Sequence, residues 1–307
     1  MQRPDDGDLS EWRGPEWVAR PERSNTLAMR CIVWVALTLG RASARLLLYP
    51  ICLYFLLFSF KARAASRKYL RKVLTRKPRM SDLFRHYHAF AATILDRVFL
   101  LNDRYADFDI RVHGQEIVDG MNAHGEGCLL LGAHLGSFEI VRALGRAAKV
   151  PPMNLVMYEE NARKLNSVLR AINPNFAPQV IALGKVDSML KVEAALDRGE
   201  FVGMLGDRTI AGEGTVTYAF LGEQAALPIG PFRIAMILQR PIVLMFGLYR
   251  GGKRYDIHFE LLADMRQLAR SQRDFALDQA LKSYIERIEH YCRLYPYNWF
   301  NFYDFWR

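Results

Sequence analysis

Between residues 31 and 60 the chain is almost wholly apolar, and any fold proposed for it must find that stretch a non-aqueous environment. Two runs, residues 31–40 and 46–60, are separated by Arg41 and Arg45. The second run has 15 residues, about 22 Å as a helix against the roughly 30 Å of a bilayer core. One long tilted helix would carry two arginines into lipid. Two helices dipping into one leaflet around a kink at Pro50 avoid that cost. A buried helical pair in a soluble core is the competing reading, but the segment from Leu53 to Phe58 offers no polar face. Residues 26–60 are therefore expected to form a membrane anchor.

The flanks agree with that expectation. Lys61, Arg63, Arg67, Lys68, Arg71, Lys72, Arg76, Lys77 and Arg79 follow the apolar block with no acidic residue among them. Basic residues beside a membrane segment favour the cytoplasmic side, and each is worth about 1 kcal/mol near anionic lipid. A net charge of +10 fits a membrane surface with anionic lipids or an acidic protein partner. No DNA-reading motif accompanies the charge, so nucleic acid is not expected as a partner. Residues 1–25 are polar and without hydrophobic period, which reads as a flexible tail. No signal-peptide pattern opens the chain, so export is not expected. Cys31, Cys52, Cys128 and Cys292 are widely spaced, with no CxxC pair and no histidine at metal-ligand spacing. They read as reduced thiols, with neither a disulfide framework nor a structural zinc site indicated.

Beyond a basic helical linker region, residues 61–105, the pattern changes. Short apolar runs at residues 127–133, 153–157, 180–183, 201–205, 241–247 and 255–261 alternate with helix-like stretches at 137–149, 161–172, 186–198 and 232–239. Alternation of this kind predicts an α/β domain over residues 106–307, with a mostly parallel central sheet flanked by helices.

The chemistry concentrates where the first of those long apolar runs ends. Leu129-Leu-Leu-Gly132-Ala-His134-Leu-Gly136-Ser137-Phe-Glu139 reads as a buried strand, a glycine turn and a helix start. Ser137 is a good N-cap, which puts Glu139 in the first helical turn, where a carboxylate is favoured. Residues five apart on one helix point about 140° from each other, so His134 and Glu139 can meet only across a bend. Gly136 can supply it. A carboxylate on one imidazole nitrogen would leave the other free to take a proton from a hydroxyl, giving a general base without a protein nucleophile. Adjacent histidines and glutamates are more often structural, and the spacing alone does not decide.

This His-xxxx-Glu arrangement resembles the first motif of the lysophospholipid acyltransferase superfamily. The region from about Val112 onward resembles the lipid A late acyltransferases, the HtrB-like family, within it. Downstream blocks appear in matching order: Met157-Tyr158-Glu-Glu-Asn161, Gly206-Asp207-Arg208, Gly212-Glu213-Gly214-Thr215, Gly230-Pro231-Phe232-Arg233, and a closing Tyr-Pro-x-x-Trp element from Tyr295 to Trp299. Ala133 and Arg208 stand where that family commonly has Asn and Gln, so the expected acceptor is kept broad.

The resemblance implies a glycerolipid acyltransferase-like fold and a membrane-associated enzyme at the cytoplasmic face of a bacterial inner membrane. It would move a fatty acyl group from acyl carrier protein or acyl-coenzyme A to a hydroxyl of a lipid or glycolipid, with His134 and Glu139 as catalytic pair. No metal or cofactor is implied beyond the acyl thioester co-substrate. Oxyanion donors are sought among the amides of Gly136 and Ser137 and the side chains of Arg208 and Arg233. Asp207 and Arg208 could equally form a structural ion pair, and Glu213 with Gly214 either orients acceptor hydroxyls or is simply a turn. Two rivals remain. A methyltransferase using S-adenosylmethionine would read Gly132 to Gly136 as a cofactor loop, but His134 stands where close backbone approach needs glycine. A non-catalytic membrane-surface adaptor would keep the fold without the reaction.

Overall fold

The computed structural model describes residues 26–147, 152–173, 179–184, 187–209 and 214–306. The expected tail at residues 1–25 lies outside them. Three helices open the chain: α1 (Thr26–Phe58), α2 (Phe60–Val73) and α3 (Met80–Leu100). Then come β1 (Asp109–His113), α4 (Gln115–Ala123), β2 (Leu129–Gly132), α5 (Phe138–Ala147), β3 (Met153–Tyr158), α6 (Glu159–Ile172), β4 (Val180–Leu183), α7 (Ser188–Asp197) and β5 (Phe201–Leu205). A hairpin, β6 (Thr215–Phe220) and β7 (Glu223–Pro228), leads to α8 (Gly230–Ile237), β8 (Ile242–Gly251), β9 (Arg254–Ala263) and α9 (Arg273–Leu294).

Seven strands form one sheet in the order β1-β9-β8-β2-β5-β3-β4, with β6 and β7 as a separate antiparallel pair. The five strands from β8 to β4 are mutually parallel, while β8 and β9 are antiparallel and β1 runs with β9. The predicted α/β fold with a mostly parallel sheet is thus the observed one. Interior parallel strands are covered on both faces and so read as unbroken apolar runs. β2 is buried at every position and β8 at its first eight. Helix α5 packs on one face of the sheet, where Ile140 and Val141 approach Gly247. On the other face Tyr291 of α9 packs against Phe246 with the rings tilted.

Helix α1 explains its own sequence. Ala44, Leu48, Cys52 and Leu56 recur at four-residue spacing and are buried, whereas Leu46, Tyr49, Leu53, Tyr54, Leu57 and Phe58 are exposed. One apolar stripe packs against the protein, chiefly α3, and a second is uncovered. The kink lies at Gly40 (φ 81°, ψ 169°), not at Pro50, which the helix accommodates. A positive φ is readily adopted only by glycine, which is why the break falls there. The two arginines have partners within the protein. Arg41 grips Asp96 of α3 through two bonds, Nε to Oδ1 at 2.7 Å and Nη2 to Oδ2 at 2.8 Å. Arg45 donates to the Tyr249 hydroxyl at 2.9 Å and to the Gly252 carbonyl at 3.2 Å, in the β8–β9 turn.

The basic stretch after α1 also belongs to the packed body. Tyr69 and Leu70 of α2 and Leu83, Leu95 and Phe99 of α3 join the same hydrophobic core as the sheet. Among the α2 cations Lys61 and Arg71 are exposed, whereas Lys68 and Lys72 turn to Asp304 and Glu223.

Asp96 is fully buried and also accepts the Tyr255 hydroxyl at 2.7 Å. Removing the cation from a buried pair leaves an uncompensated charge, a cost of about 3–5 kcal/mol. Arg41→Met should destabilise the protein by that order, measured by denaturant unfolding in detergent, whereas Arg71→Met, at an exposed position of α2, should change it little.

Candidate active site

Strands β2 and β5 are neighbours, yet the chain visits β3 and β4 between them, so their carboxyl ends meet where the winding reverses. Such a crevice is where open α/β sheets bind ligands. His134 lies two residues past β2 and Asp207 two residues past β5. The Gly206 amide donates to the Gly132 carbonyl at 3.0 Å, which keeps the two strand ends together.

Asp207 is fully buried, and its carboxylate is surrounded by donors. Oδ1 lies 2.9 Å from His134 Nδ1. Oδ2 accepts the His134 amide at 3.0 Å and the Asn301 Nδ2 at 2.8 Å. Burial alone would push the carboxyl up, but His134, Arg208 and Asn301 together outweigh it and hold the group down at about 2. An ionised carboxylate can only accept, so His134 Nδ1 carries the proton and Nε2 is the basic nitrogen. Burial, with the nearby Arg208 cation, pushes His134 below its ordinary value despite the opposing Asp207 charge. The imidazole is therefore neutral at pH 7 and able to accept a proton.

The expected partner of His134 was Glu139, and the structure pairs them differently. Gly136 does make the bend, at φ 79°, and its missing side chain matters: a Cβ there would lie 2.2 Å from the Gly247 carbonyl oxygen. Ser137 then donates its amide to that same carbonyl at 2.7 Å, tying the start of α5 to β8. From this start Glu139 reaches α3, where its carboxylate lies 3.2 Å from Arg97 Nη2. The carboxylate on the imidazole comes from a later block of the chain.

The oxyanion expectation changes as well. The Gly136 amide donates to the Asn298 carbonyl at 2.9 Å and the Ser137 amide to Gly247, so both are already engaged. Arg208 is near the site, with Nε donating to Asn301 Oδ1 at 2.8 Å and its guanidinium 5.7 Å from the centre of the Tyr303 ring. Asp207 is thus committed to His134 and Asn301 and not simply to its neighbour Arg208. Glu213 lies outside the described residues. Gly214 and Arg233 come together instead, since a Cβ on Gly214 would sit 3.2 Å from Arg233 Nη1.

Sequence reasoning left the aromatic C-terminus out of the site, and the structure puts it at the centre. Trp299 bridges Leu135, and the Phe300 amide donates to the His134 carbonyl at 2.7 Å. Asn298 exchanges two bonds with the backbone of Tyr249, and Asn301 holds both Asp207 and Arg208. The available signal was the pair of asparagines embedded in the aromatic run.

Beside this cluster, across the carboxyl ends of β3, β4 and β5, lies a groove of about 560 Å³. Tyr158, Leu183, Met189, Met204, Ile234 and Ile237 give it an apolar lining, and Arg233 stands among them.

Residues 20–307 match the family model for bacterial lipid A biosynthesis acyltransferases. The chain belongs to that family. Nothing among curated proteins matches it. Membership makes the protein an acyltransferase that acts on lipid, with a lipid acceptor and an acyl thioester donor, and it sets aside the methyltransferase reading. Among the described residues one helical segment, Val33–Phe58, is long and apolar enough to cross a membrane, and most of it is uncovered by the rest of the protein.

Gly136→Ala should be disruptive out of proportion to its size, because both the positive φ and the contact with Gly247 forbid a side chain. We expect a loss of about 1–3 kcal/mol in stability, as for other strained backbone positions, and a matching fall in activity, checked by thermal unfolding and turnover on one preparation.

Proposed function

We propose that this protein transfers a fatty acyl group from an acyl thioester, carried by acyl carrier protein or coenzyme A, to a hydroxyl of a lipid or glycolipid, with His134 as general base. The observation that carries the reading is the bond between His134 Nδ1 and the buried, ionised Asp207. It fixes the tautomer in which Nε2 can take the acceptor's proton. The acceptor oxygen then attacks the thioester carbonyl and the carbon–sulfur bond breaks. The departing thiolate recovers the proton from the imidazolium, so atoms and charge balance. In this scheme Asp207 replaces Glu139 as the group that orients the base. Glu139 acts at a distance, through Arg97, by seating α5.

The apolar groove suits a fatty chain in size and lining, since small-molecule sites fall at about 300–1,000 Å³ with few polar groups. Arg233 at its edge, with Arg208 nearer His134, is the candidate counter-charge for a developing oxyanion or an anionic headgroup. Arg67 and Arg71 of α2, with Arg76 and Lys77 just after it, border a second depression of about 500 Å³. Cations there suit an acidic carrier or anionic lipid.

The uncovered stripe of α1 is proposed to lie in the lipid surface with the helix roughly parallel to the membrane. Arg41 and Arg45 support this, because both donate to the Gly252 carbonyl in the β8–β9 turn, which would otherwise have to enter the bilayer with them. The cytoplasmic face of a bacterial inner membrane is the proposed setting.

The test supplies membranes containing purified protein with carrier protein loaded with labelled fatty acid, and in parallel with labelled acyl-coenzyme A, and follows the lipids by mass spectrometry. Label should enter a lipid with wild type and not with His134→Ala, and its carrier identifies the acceptor. If neither donor loses label to any lipid, the adaptor reading replaces this one. Asp207→Asn should lower turnover by about 10²–10⁴-fold, the scale seen when the orienting carboxylate of a His base is neutralised. Glu139→Gln should act mainly on stability. An equal turnover loss in Glu139→Gln, with Asp207→Asn active, would restore the His134–Glu139 pair.

The pH profile follows from the neutral base. Activity should be full above the depressed value of His134 and fall with unit slope as pH drops through it. The acid limb should therefore lie below the ordinary histidine value of about 6.5.

A further inference from the structure

At the free edge of the sheet, away from the catalytic cluster, His113 of β1 and His258 of β9 are directly paired in register. Their rings stack with centroids 4.5 Å apart and 12° between planes. Asp256 precedes His258 by two positions on the same strand, so its side chain points to the same face. One ligand atom from each of the three lies within 4.8 Å of the others.

We propose that His113, Asp256 and His258 form a binding site for a divalent transition-metal cation of the zinc class. Two imidazoles and a carboxylate are the ligand types such an ion takes. Metal–ligand bonds of about 2.1 Å in a tetrahedral shell would bring the ligand atoms to roughly 3.4 Å separation. His113 is exposed, so its side chain has room to turn toward the buried Asp256 and the half-buried His258.

A second, independent observation favours a ligand here. His258 Nε2 is buried and has no hydrogen-bond partner in the structure. A buried polar atom left unpaired is destabilising, and a bound cation would remove that penalty. The carboxylate is also held from behind. Asp256 Oδ2 accepts the Tyr295 hydroxyl at 2.7 Å, the kind of outer support that orients a metal-bound carboxylate. Its other oxygen has only a long contact to Arg250, at 3.3 Å, which a cation can displace into solvent.

Such a site would clamp β1, a five-residue strand paired on one side only, to β9. The role is structural, and it stands whether or not the reaction proposed above is correct. Sequence spacing could not reveal it, because Asp256 and His258 are too close together to suggest a motif and His113 lies on a distant strand.

The test is titration of tag-free, chelator-treated full-length protein in detergent with Zn2+ by calorimetry, and with Co2+ by visible absorption. Wild type should bind a single equivalent of Zn2+, give a tetrahedral Co2+ band and show a higher unfolding temperature with Zn2+. His113→Ala, at an exposed position, and Asp256→Asn should lose all three responses while keeping a native circular dichroism spectrum. His124→Ala, an exposed histidine on another element, should retain them. Absence of saturable binding in wild type, or its survival in both site variants, overturns the proposal.

Discussion

A carboxylate with no access to water lies between the ends of β2 and β5, and the site cannot assemble without it. Burying a charge is costly unless donors surround it. Asp207 has them: the amide and the ring Nδ1 of His134, and the side chain of Asn301. The donors come from two distant parts of the chain and the carboxylate from a third, so satisfying it draws the β2 turn, the β5 turn and the C-terminal segment into one place. The ionised state that makes Asp207 expensive to bury is also what forces the proton onto Nδ1. The stability of the crevice and the basicity of Nε2 are two consequences of the same bonds.

The C-terminal segment is the second half of that arrangement. It runs as an extra strand-like strip along the His134 turn, taking the Gly136 amide and donating to the His134 carbonyl. Trp299 is almost fully buried, between Tyr69 of α2 and Phe220 of the hairpin. His86 of α3 is buried beside it, bonded to the Trp299 carbonyl at 2.6 Å and to Ser66 of α2 at 2.8 Å. The helices that follow the apolar block therefore reach the catalytic turn through one layer of side chains. The buried faces of these helices complete the core on which His134 rests.

Much of the fold was legible because it rests on local patterns. Apolar runs bounded by glycine gave five of the parallel strands nearly to the residue, and the glycine turn after β2 announced the site. β1 was not legible, since an edge strand with alternating exposure and two charged residues in Asp109–His113 carries no apolar run. The β6–β7 hairpin and the long α9 were likewise obscured, the first by exposed alternation and the second by charges spread around the helix. In the site, His134 was recognisable from its turn, but its partner was not. Glu139 is near in sequence, and only the crossover order of the strands reveals that Asp207 is nearer in space. Asn301 was hidden for the same reason, as its function depends on where the chain's end returns.

The two arginines in the apolar block show how far a pattern can mislead when a polar residue has an unseen partner. In sequence they look like charges placed in lipid, and they argue against a long helix. In the fold Arg41 and Arg45 mark the stripe of α1 that faces protein, because their partners are a buried aspartate and the carbonyl and hydroxyl groups of the β8–β9 turn. Polar anchoring on one side leaves the opposite stripe free to be apolar throughout. An exposed run containing Leu46, Leu53, Tyr54, Leu57 and Phe58 is larger than a soluble monomer normally leaves uncovered. The same contacts bear on the orientation proposed for α1: standing the helix upright in a bilayer would drag the β8–β9 turn after it, because Arg41 and Arg45 hold that turn. In the proposed reaction, with a lipid acceptor and a thioester donor carried in water, a flat α1 would keep the crevice at the boundary between the two.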